Sequence, residues 1–193
     1  MARVIAALVM VLVAWLAHLC SLAYGDSYVR NACSVTQYPD LCMHSLSSFS
    51  STAKDSPTKW ARAGVSVTIN EAKRVARYLV KLKKGGTITG GRNRGALSDC
   101  IECLQDTVDN LHRSLGVLRK LNGQTFGSQM GDVTTWVSAA LTDEDTCLDG
   151  FDGQRGKKAN LVRNRVSKIS CITSNALALV NKLATSGPET LDN

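Results

Sequence analysis

Histidine is scarce in this chain, and no recognisable nucleophile motif accompanies the few that occur. Of three histidines in all, only His44 and His112 lie beyond the first 25 residues. His112 falls near the edge of a helical apolar stripe, where a packed or surface-edge histidine is the usual case. Acid–base chemistry in a cleft therefore has few candidate residues, and the sequence predicts a protein that is not an enzyme.

Proline and alternating patterns are also nearly absent. The three prolines all fall at the edges of segments. Almost no run alternates apolar with polar residues, which is the pattern that predicts half-buried strands. Apolar residues instead recur at steps of three and four, so the sequence predicts an all-α domain.

Two further absences limit the chemistry of the chain. It contains no Asn-x-Ser/Thr sequon, so N-glycosylation is not expected. His44 lies close to Cys42, but the CxxC pair with closely spaced histidines that a zinc site needs does not accompany them. The sequence therefore predicts no metal and no cofactor.

Residues 1–25 have the features of a secretory signal peptide. Arg3 precedes an apolar run over 4–17, and residues 23–25 form a small-x-small cleavage pattern. A signal anchor is the alternative, because the uncharged stretch is almost long enough to span a bilayer. Cleavage after residue 25 removes Arg3 and lowers the formal net charge from +7 to +6. We expect a basic, secreted protein with no membrane segment after cleavage.

Six cysteines remain after cleavage, which agrees with an oxidising compartment. They are Cys33, Cys42, Cys100, Cys103, Cys147 and Cys171. Sequence separation favours a Cys33–Cys42 disulfide, because Tyr38-Pro39-Asp40 between them can turn the chain back on itself. Sequence counting alone leaves the pairing of the other four open.

Four long segments have helical apolar periodicity. They run over about 57–84, 96–121, 132–151 and 157–185, with Gly85-Gly86, Asn122-Gly123 and Gly187-Pro188 as stop signals. The third segment is expected to bend at Thr142, with Thr142 or Asp143 as a fresh N-cap. Short connections between four such helices predict an antiparallel up-down-up-down bundle over residues 57–186. Residues 26–56 are then a helical hairpin, and 187–193 are a C-terminal tail.

Five patterns in the chain resemble, in the same order, the signatures of the plant invertase and pectin methylesterase inhibitor family. They are Cys33-x8-Cys42 with Tyr-Pro inside, ALSDC at 96–100, DVTTWVSAALT at 132–142, DTCLDGF at 145–151 and SNALAL at 174–179. Together they span essentially the whole chain after residue 25. The resemblance implies a four-helix bundle preceded by a disulfide-linked helical hairpin.

The resemblance also implies the disulfide pairing. One bridge, Cys33–Cys42, lies inside the hairpin, and a second, Cys100–Cys147, joins two helices of the bundle. Cys103 and Cys171 depart from the family pattern. They would lie on diagonal helices and at different levels, too far apart for a disulfide, so we expect both to be free, partly buried thiols.

Acidic residues form a narrow face on the second bundle helix. Glu102, Asp106 and Asp109 follow at i, i+4 and i+7, which confines them to an arc of about 60° opposite the leucine stripe. An ordinary solvated helix face has the same spacing. The resemblance favours a binding face, because acidic residues of pectin methylesterase inhibitors at the positions matching these three and Asp149 face the esterase. Thr146 matches a position in the same contact.

The function implied by the resemblance is that of a secreted pectin methylesterase inhibitor in the plant cell wall, the apoplast. It would bind the esterase 1:1, occlude the substrate cleft without covalent chemistry, and so regulate pectin de-esterification. An inhibitor of cell-wall or vacuolar invertase is the alternative, because both groups share the cysteine frame and the bundle. The esterase is favoured, since the Pro-Lys-Phe tripeptide of invertase-contacting members is absent after Phe151.

A non-inhibitory pectin-binding wall protein is a second alternative. Its candidate residues surround the glycine-rich connection at 85–95, and they are Lys81, Lys83, Lys84, Arg92 and Arg94. A mobile, solvated loop has the same composition, and the secretory route disfavours nucleic acid as the polyanion. The serine-rich segment 50–57 between hairpin and bundle also leaves a swapped homodimer open.

Overall fold

The computed structural model describes residues 27–86 and 90–191, with the isolated positions 10, 12 and 15. The predicted signal peptide, apart from these three positions, lies outside the described residues. Within the described chain, none of the helices has the length and apolar composition needed to cross a membrane.

Helices joined by short turns make up the described chain. They are α1 (27–33), α2 (Pro39–Leu46), α3 (Ser50–Ala53), α4 (Pro57–Lys84), α5 (Gly91–Leu118), α6 (Phe126–Asp149) and α7 (Lys157–Ser186). Two 3-10 turns, Ser47–Phe49 and Pro188–Thr190, follow α2 and α7. The prediction of an all-α fold is confirmed.

The four long helices form the bundle. Extensive contacts join α4 to α5, α5 to α6, α6 to α7 and α7 back to α4, which is the neighbour pattern of an up-down-up-down arrangement. Val65, Leu111, Val133 and Val180 meet in one half of its core, one from each helix. Burying such side chains contributes about 1.5–3 kcal/mol each. The predicted antiparallel four-helix bundle is therefore confirmed.

The ends of α4 follow the sequence closely. Ser56 caps its N-terminus, because the Ser56 hydroxyl accepts a hydrogen bond from the Lys59 amide at 3.2 Å, and Pro57 occupies the first helical position. At the other end Gly86 adopts a φ of +59°, the left-handed conformation that glycine tolerates best. Here the predicted stop signal is correct.

The boundary predicted between α5 and α6 is wrong in detail. Helix α5 begins about five residues before the expected 96 and ends at Leu118, and Gly123 does not take the expected left-handed conformation. Instead, a side chain of α6 holds the connection. Gln129 accepts from the Asn122 amide at 2.8 Å and donates to the Lys120 carbonyl at 3.2 Å. This tertiary contact replaces the local stop signal.

Helix α6 is longer and more continuous than expected. It begins at Phe126 instead of 132, because Phe126 and Met130 are buried in the bundle core. It also passes through Thr142 without the predicted cap. The Thr142 hydroxyl donates to the Ser138 carbonyl at 3.1 Å, within the same helix. Asp143 is therefore an interior residue of the helix and not its start.

The N-terminal hairpin, formed by α1 and α2, packs on its own bundle. Val29, Cys33 and Leu46 share a buried cluster with Trp60 of α4 and Leu179 of α7. The Trp60 indole donates to the Lys54 carbonyl at 2.7 Å, which fixes the entry into α4. The hairpin thus covers the α4–α7 side at one end of the bundle.

Both expected disulfides are present. Cys33–Cys42 closes the hairpin with a Cα–Cα distance of 5.7 Å, and Cys100–Cys147 links α5 to α6 at 4.4 Å. Cys103 on α5 and Cys171 on α7 are free and half-buried.

Candidate functional site

Helices α5 and α6 are locked together at three points along their contact. The Cys100–Cys147 disulfide holds one end, and the Thr107 hydroxyl donates to the Ala140 carbonyl at 3.3 Å one register step further on. Beyond it the Asn110 amide donates to Asp143 Oδ2 at 3.3 Å. The outer surfaces of the two helices therefore form one continuous face, which we call the α5–α6 face.

All five residues predicted to contact a partner are exposed on this pair of helices. Glu102, Asp106 and Asp109 are exposed on α5, and Thr146 and Asp149 are exposed on α6. Thr146 is held in place because its hydroxyl donates to the Thr142 carbonyl at 2.8 Å. The disulfide brings the end of α6 that carries Asp149 level with the first half of α5, so the two groups lie on the same face.

Asp143 adds a carboxylate that the sequence reading did not place on the α5–α6 face. Partial burial raises its pKa, the hydrogen bond from Asn110 lowers it, and the Asp106 carboxylate raises it again. The net direction is upward. Asp106 and Asp143 are thus close enough across the helix contact to repel each other.

The free thiol of Cys103 lies in the same acidic surroundings. Burial is the largest cause of its raised pKa, and the carboxylates of Asp143, Asp106 and Asp99 add to the rise. The Cys103 side chain is therefore a neutral thiol flanked by carboxylates from both helices. Its environment shows that negative charge on this face is not balanced by neighbouring cations.

Glu144 points in the opposite direction, into the core between α6 and α7. It is fully buried, at 0% exposed, and the Thr173 hydroxyl lies 2.8 Å from Glu144 Oε1. Glu144 Oε2 has no hydrogen-bond partner. Burial raises the pKa of Glu144 well above its ordinary value, and Asp145 and Asp143 add to the rise despite the Thr173 contact.

A protonated Glu144 fits these contacts better than an ionised one. The Thr173 hydroxyl also lies 3.1 Å from the Ile169 carbonyl, and a single hydroxyl hydrogen cannot serve both acceptors. If the Glu144 carboxyl carries a proton, it donates to Thr173 Oγ1, which then donates to the Ile169 carbonyl. Every hydrogen of the group then has an acceptor.

The sequence contained the signal for this burial. Val133, Val137, Ala140, Glu144 and Cys147 follow at steps of four and three, and all five are buried. Reading 143 and 144 as the first turn of a new helix concealed that spacing. The continuous helix restores it, so the proposed dipole role of Asp143 and Glu144 at a helix N-terminus is wrong.

The hairpin is held to α7 by a buried asparagine. Asn175, 4% exposed, accepts from the Tyr38 amide at 3.0 Å and donates to the Tyr38 carbonyl at 2.9 Å. Beside it the Ser174 hydroxyl donates to the Gln37 side chain at 3.2 Å. Contact with the Cys171 side chain raises the pKa of the Tyr38 hydroxyl, and Asp145 adds to the rise. Cys171 therefore lies under the turn of the hairpin.

The five basic residues predicted around the glycine-rich connection are all exposed; they are Lys81, Lys83, Lys84, Arg92 and Arg94. Lys83 and Arg94 line an open cavity of about 230 Å³ with Ser98 and apolar atoms of Leu82 and Leu97. Residues 87–89 of the connection lie outside the described residues. Among the described residues, no group of three or more His, Cys, Asp or Glu side chains is arranged to hold a metal ion.

Comparison with known proteins gives consistent matches. A family model described as plant invertase/pectin methylesterase inhibitor matches residues 27–179. Pectinesterase inhibitor 6 of Arabidopsis thaliana is 49% identical over 164 residues, which cover 84% of this chain and 78% of that protein. The 21 kDa protein of Daucus carota is 36% identical over 169 residues, covering 85% of this chain and 87% of that protein.

Solved structures give the same fold. The crystal structure of a mutant form of a pectin methylesterase inhibitor from Arabidopsis has a TM-score of 0.62 at 23% identity, covering 77% of this chain and 92% of that one. A second, of a pectin methylesterase inhibitor from Arabidopsis thaliana, has a TM-score of 0.57 at 23% identity, covering 81% and 96%. At this level of identity, the likeness concerns the fold alone.

Proposed function

Because the chain belongs to the plant invertase/pectin methylesterase inhibitor family, we propose that it inhibits a pectin methylesterase through its α5–α6 face. The protein is an enzyme inhibitor and not an enzyme, as its relatives' names indicate. The observation that supports the face most strongly is its concentration of exposed carboxylates in an otherwise basic chain.

The inhibition that we propose requires no chemistry on this chain. The α5–α6 face covers the substrate groove of the esterase in a 1:1 complex and excludes methyl-esterified pectin. The three locks between α5 and α6 keep the carboxylates and Thr146 in a fixed arrangement, so little conformational freedom is lost on binding. By this route the protein regulates pectin de-esterification in the cell wall, to which we propose that it is secreted.

An invertase is the less favoured target. The family model covers both inhibitor classes by its description. The relatives named pectinesterase inhibitors support the esterase, and Pectinesterase inhibitor 6 shares 49% of aligned residues with this chain. Pectin binding through the basic residues and a swapped homodimer remain predictions.

Side-by-side inhibition assays test the proposal. The oxidised protein without residues 1–25 is added to a plant pectin methylesterase and to an acid invertase at pH 5.5. We expect inhibition of the esterase alone. Inhibition of invertase alone would contradict the proposed target.

Charge reversal then tests the face. We expect the triple change Glu102→Lys, Asp106→Lys and Asp109→Lys to weaken esterase inhibition at least about a hundredfold, because truncating or reversing buried interface charges costs about 2–5 kcal/mol.

A matched control changes three exposed carboxylates outside the face. Asp55→Lys, Asp132→Lys and Glu189→Lys together make the same change in net charge. The control variant should inhibit like the unaltered protein. Equal losses in both variants would mean that only net charge matters, and the proposed face would be wrong.

A further inference from the structure

Charge is divided between the helices of the bundle. Helix α4 carries eight lysines and arginines against one carboxylate, Glu71, and α7 carries six against none. Helix α6 has the reverse composition, with five carboxylates and no lysine or arginine. Helix α5 has four carboxylates, and two of its three arginines lie in its first turn.

The helix order turns this division into two opposite faces. Helices α4 and α7 are neighbours, and so are α5 and α6. The basic pair therefore lies on one side of the bundle and the acidic pair on the other. A partner that covers the acidic side leaves the basic side open.

Two stripes of matching spacing lie along the seam between α4 and α7. Arg74, Tyr78 and Lys81 follow at i, i+4 and i+7 on α4, and Leu161, Arg165 and Lys168 follow at the same steps on α7. The Arg165 guanidinium lies 4.2 Å from the centre of the Tyr78 ring, which brings the middle positions of the two stripes together.

Since α4 and α7 run antiparallel, Arg74 is level with Lys168, and Lys81 is level with Leu161. Each stripe is about 10 Å long at 1.5 Å per residue. These six residues define what we call the α4–α7 face. The hairpin covers the other end of the same two helices and leaves this end free.

The exposed groups of the face have a specific chemistry. Arg74, Lys81 and Lys168 are charged and exposed, and Leu161 is 41% exposed between them and the turn that leads into α7. Arg74 pairs with Glu71, the only carboxylate on α4, which leaves the face strongly positive. Arginine forks match carboxylates, and an apolar side chain suits the C–H face of a sugar ring.

We propose that the α4–α7 face binds a linear polycarboxylated polysaccharide of the kind that pectin becomes when its methyl esters are removed. The charge of the face complements that polymer along the seam. An anionic membrane fits less well, because a helix that lies in a membrane surface needs a broad apolar face, and Leu161 is a single exposed apolar residue here.

This binding goes beyond the proposed inhibition and does not depend on it. The protein would be retained on de-esterified polymer by one side while the α5–α6 face on the other side remains free for an enzyme. It also relocates the predicted pectin-binding residues, because Lys81 belongs to the face while the other four lie at the end of the bundle.

Affinity chromatography on immobilised polygalacturonate tests the proposal. The test variant is Arg74→Gln, Lys81→Gln, Lys168→Gln, and the control variant is Lys84→Gln, Arg92→Gln, Arg94→Gln. Both lose three exposed positive charges, so any effect of net charge is the same in each. Arg165 is left unchanged because its guanidinium packs on Tyr78.

We expect the test variant to elute at less than half the salt concentration needed for the unaltered protein, and the control variant to elute near the unaltered protein. Equal shifts in both, a larger shift in the control, or no retention of the unaltered protein would overturn the proposal. Esterase inhibition is measured on the same samples. Retention without inhibition would contradict the proposed function alone, and inhibition without retention would contradict this inference alone.

Discussion

At the scale of single residues, the buried polar groups carry most of the information that is specific to this protein. Glu144 is the clearest case, since it fills a core position of α6 that aliphatic residues occupy one and two turns earlier. Its neighbours on the helix, Asp143 and Asp145, are carboxylates, and Thr173 of α7 is its only hydrogen-bond partner in the described chain. Such an acid is stable in the core only when it is neutral.

The stability of the bundle should therefore depend on pH through Glu144. Its pKa is raised in the folded state, so the contribution of the neutral acid is complete below the unfolded pKa of about 4.3. That contribution is lost as the pH rises through the folded pKa. We expect Glu144→Gln to match the unaltered protein at pH 4 and to be more stable by at least about 1 kcal/mol at pH 7.5.

Urea unfolding at both pH values measures this difference, with Asp132→Asn as control. Asp132 is an exposed carboxylate on the same helix, so its removal changes the charge without affecting the core. A stability difference for Glu144→Gln that is the same at pH 4 and pH 7.5 would contradict a neutral buried acid.

At the scale of secondary-structure elements, local signals and tertiary contacts divide the helix ends between them. Ser56 and Pro57 start α4 by the rules of helix capping. The α5–α6 connection instead depends on Gln129, a residue seven positions beyond the amide of Asn122 that it accepts from. The hairpin depends on a contact between residues 137 positions apart, Asn175 and Tyr38.

Asn175 should be the main polar attachment of the hairpin. We expect Asn175→Ala to destabilise α2 by about 1–3 kcal/mol, because it removes two hydrogen bonds and leaves both backbone groups of Tyr38 without partners. Hydrogen exchange of the α2 amides should become about tenfold faster or more, while the α5 amides exchange at an unchanged rate.

The adjacent Ser174→Ala is the matched control. It removes one exposed side-chain contact, with Gln37, and should change stability by no more than about 0.5 kcal/mol. Equal acceleration of exchange in both variants would show that Asn175 has no special role.

At the scale of the whole molecule, the distribution of charge is the dominant feature. The formal net charge of +7 conceals an acidic α5–α6 side and a basic α4–α7 side. The protein can therefore attract partners of both signs on different surfaces, which net charge alone would not indicate.

Inhibition should strengthen as the pH falls. Burying carboxylates at an interface costs less when some are protonated, and the raised pKa of Asp143 means that this group takes up a proton before an ordinary aspartate does. We expect an inhibition constant at pH 8 that is about tenfold weaker or more than at pH 5.5, with a smaller ratio for Asp143→Asn.

Asp132→Asn provides the control here too, because Asp132 lies outside the α5–α6 face and should leave the ratio unchanged. Activity of the esterase without inhibitor is measured at each pH, so that its own titration is removed. An inhibition constant that does not vary between the two pH values would reject the carboxylate mechanism.

Much of this protein could be predicted from the sequence. Apolar spacing identified four helices, and the start of α4 at Pro57 and of α7 at Lys157 agree with the prediction, because each is set by capping and glycine signals in the chain itself. The acidic spacing of Glu102, Asp106 and Asp109 predicted exposure on one helix face, and all three are exposed. Their contact with an esterase stays a prediction.

The sequence by itself determined the helices, the hairpin and the family, because periodicity, caps and cysteine spacing are local properties of the chain. Only the tertiary structure decided which helices are neighbours, and with that the pairing of Asp143 with Asp106, the burial of Glu144 against Thr173 and the meeting of Tyr78 with Arg165. These contacts join residues that are distant in the chain, and their energies depend on desolvation and proximity, which exist only once the helices pack.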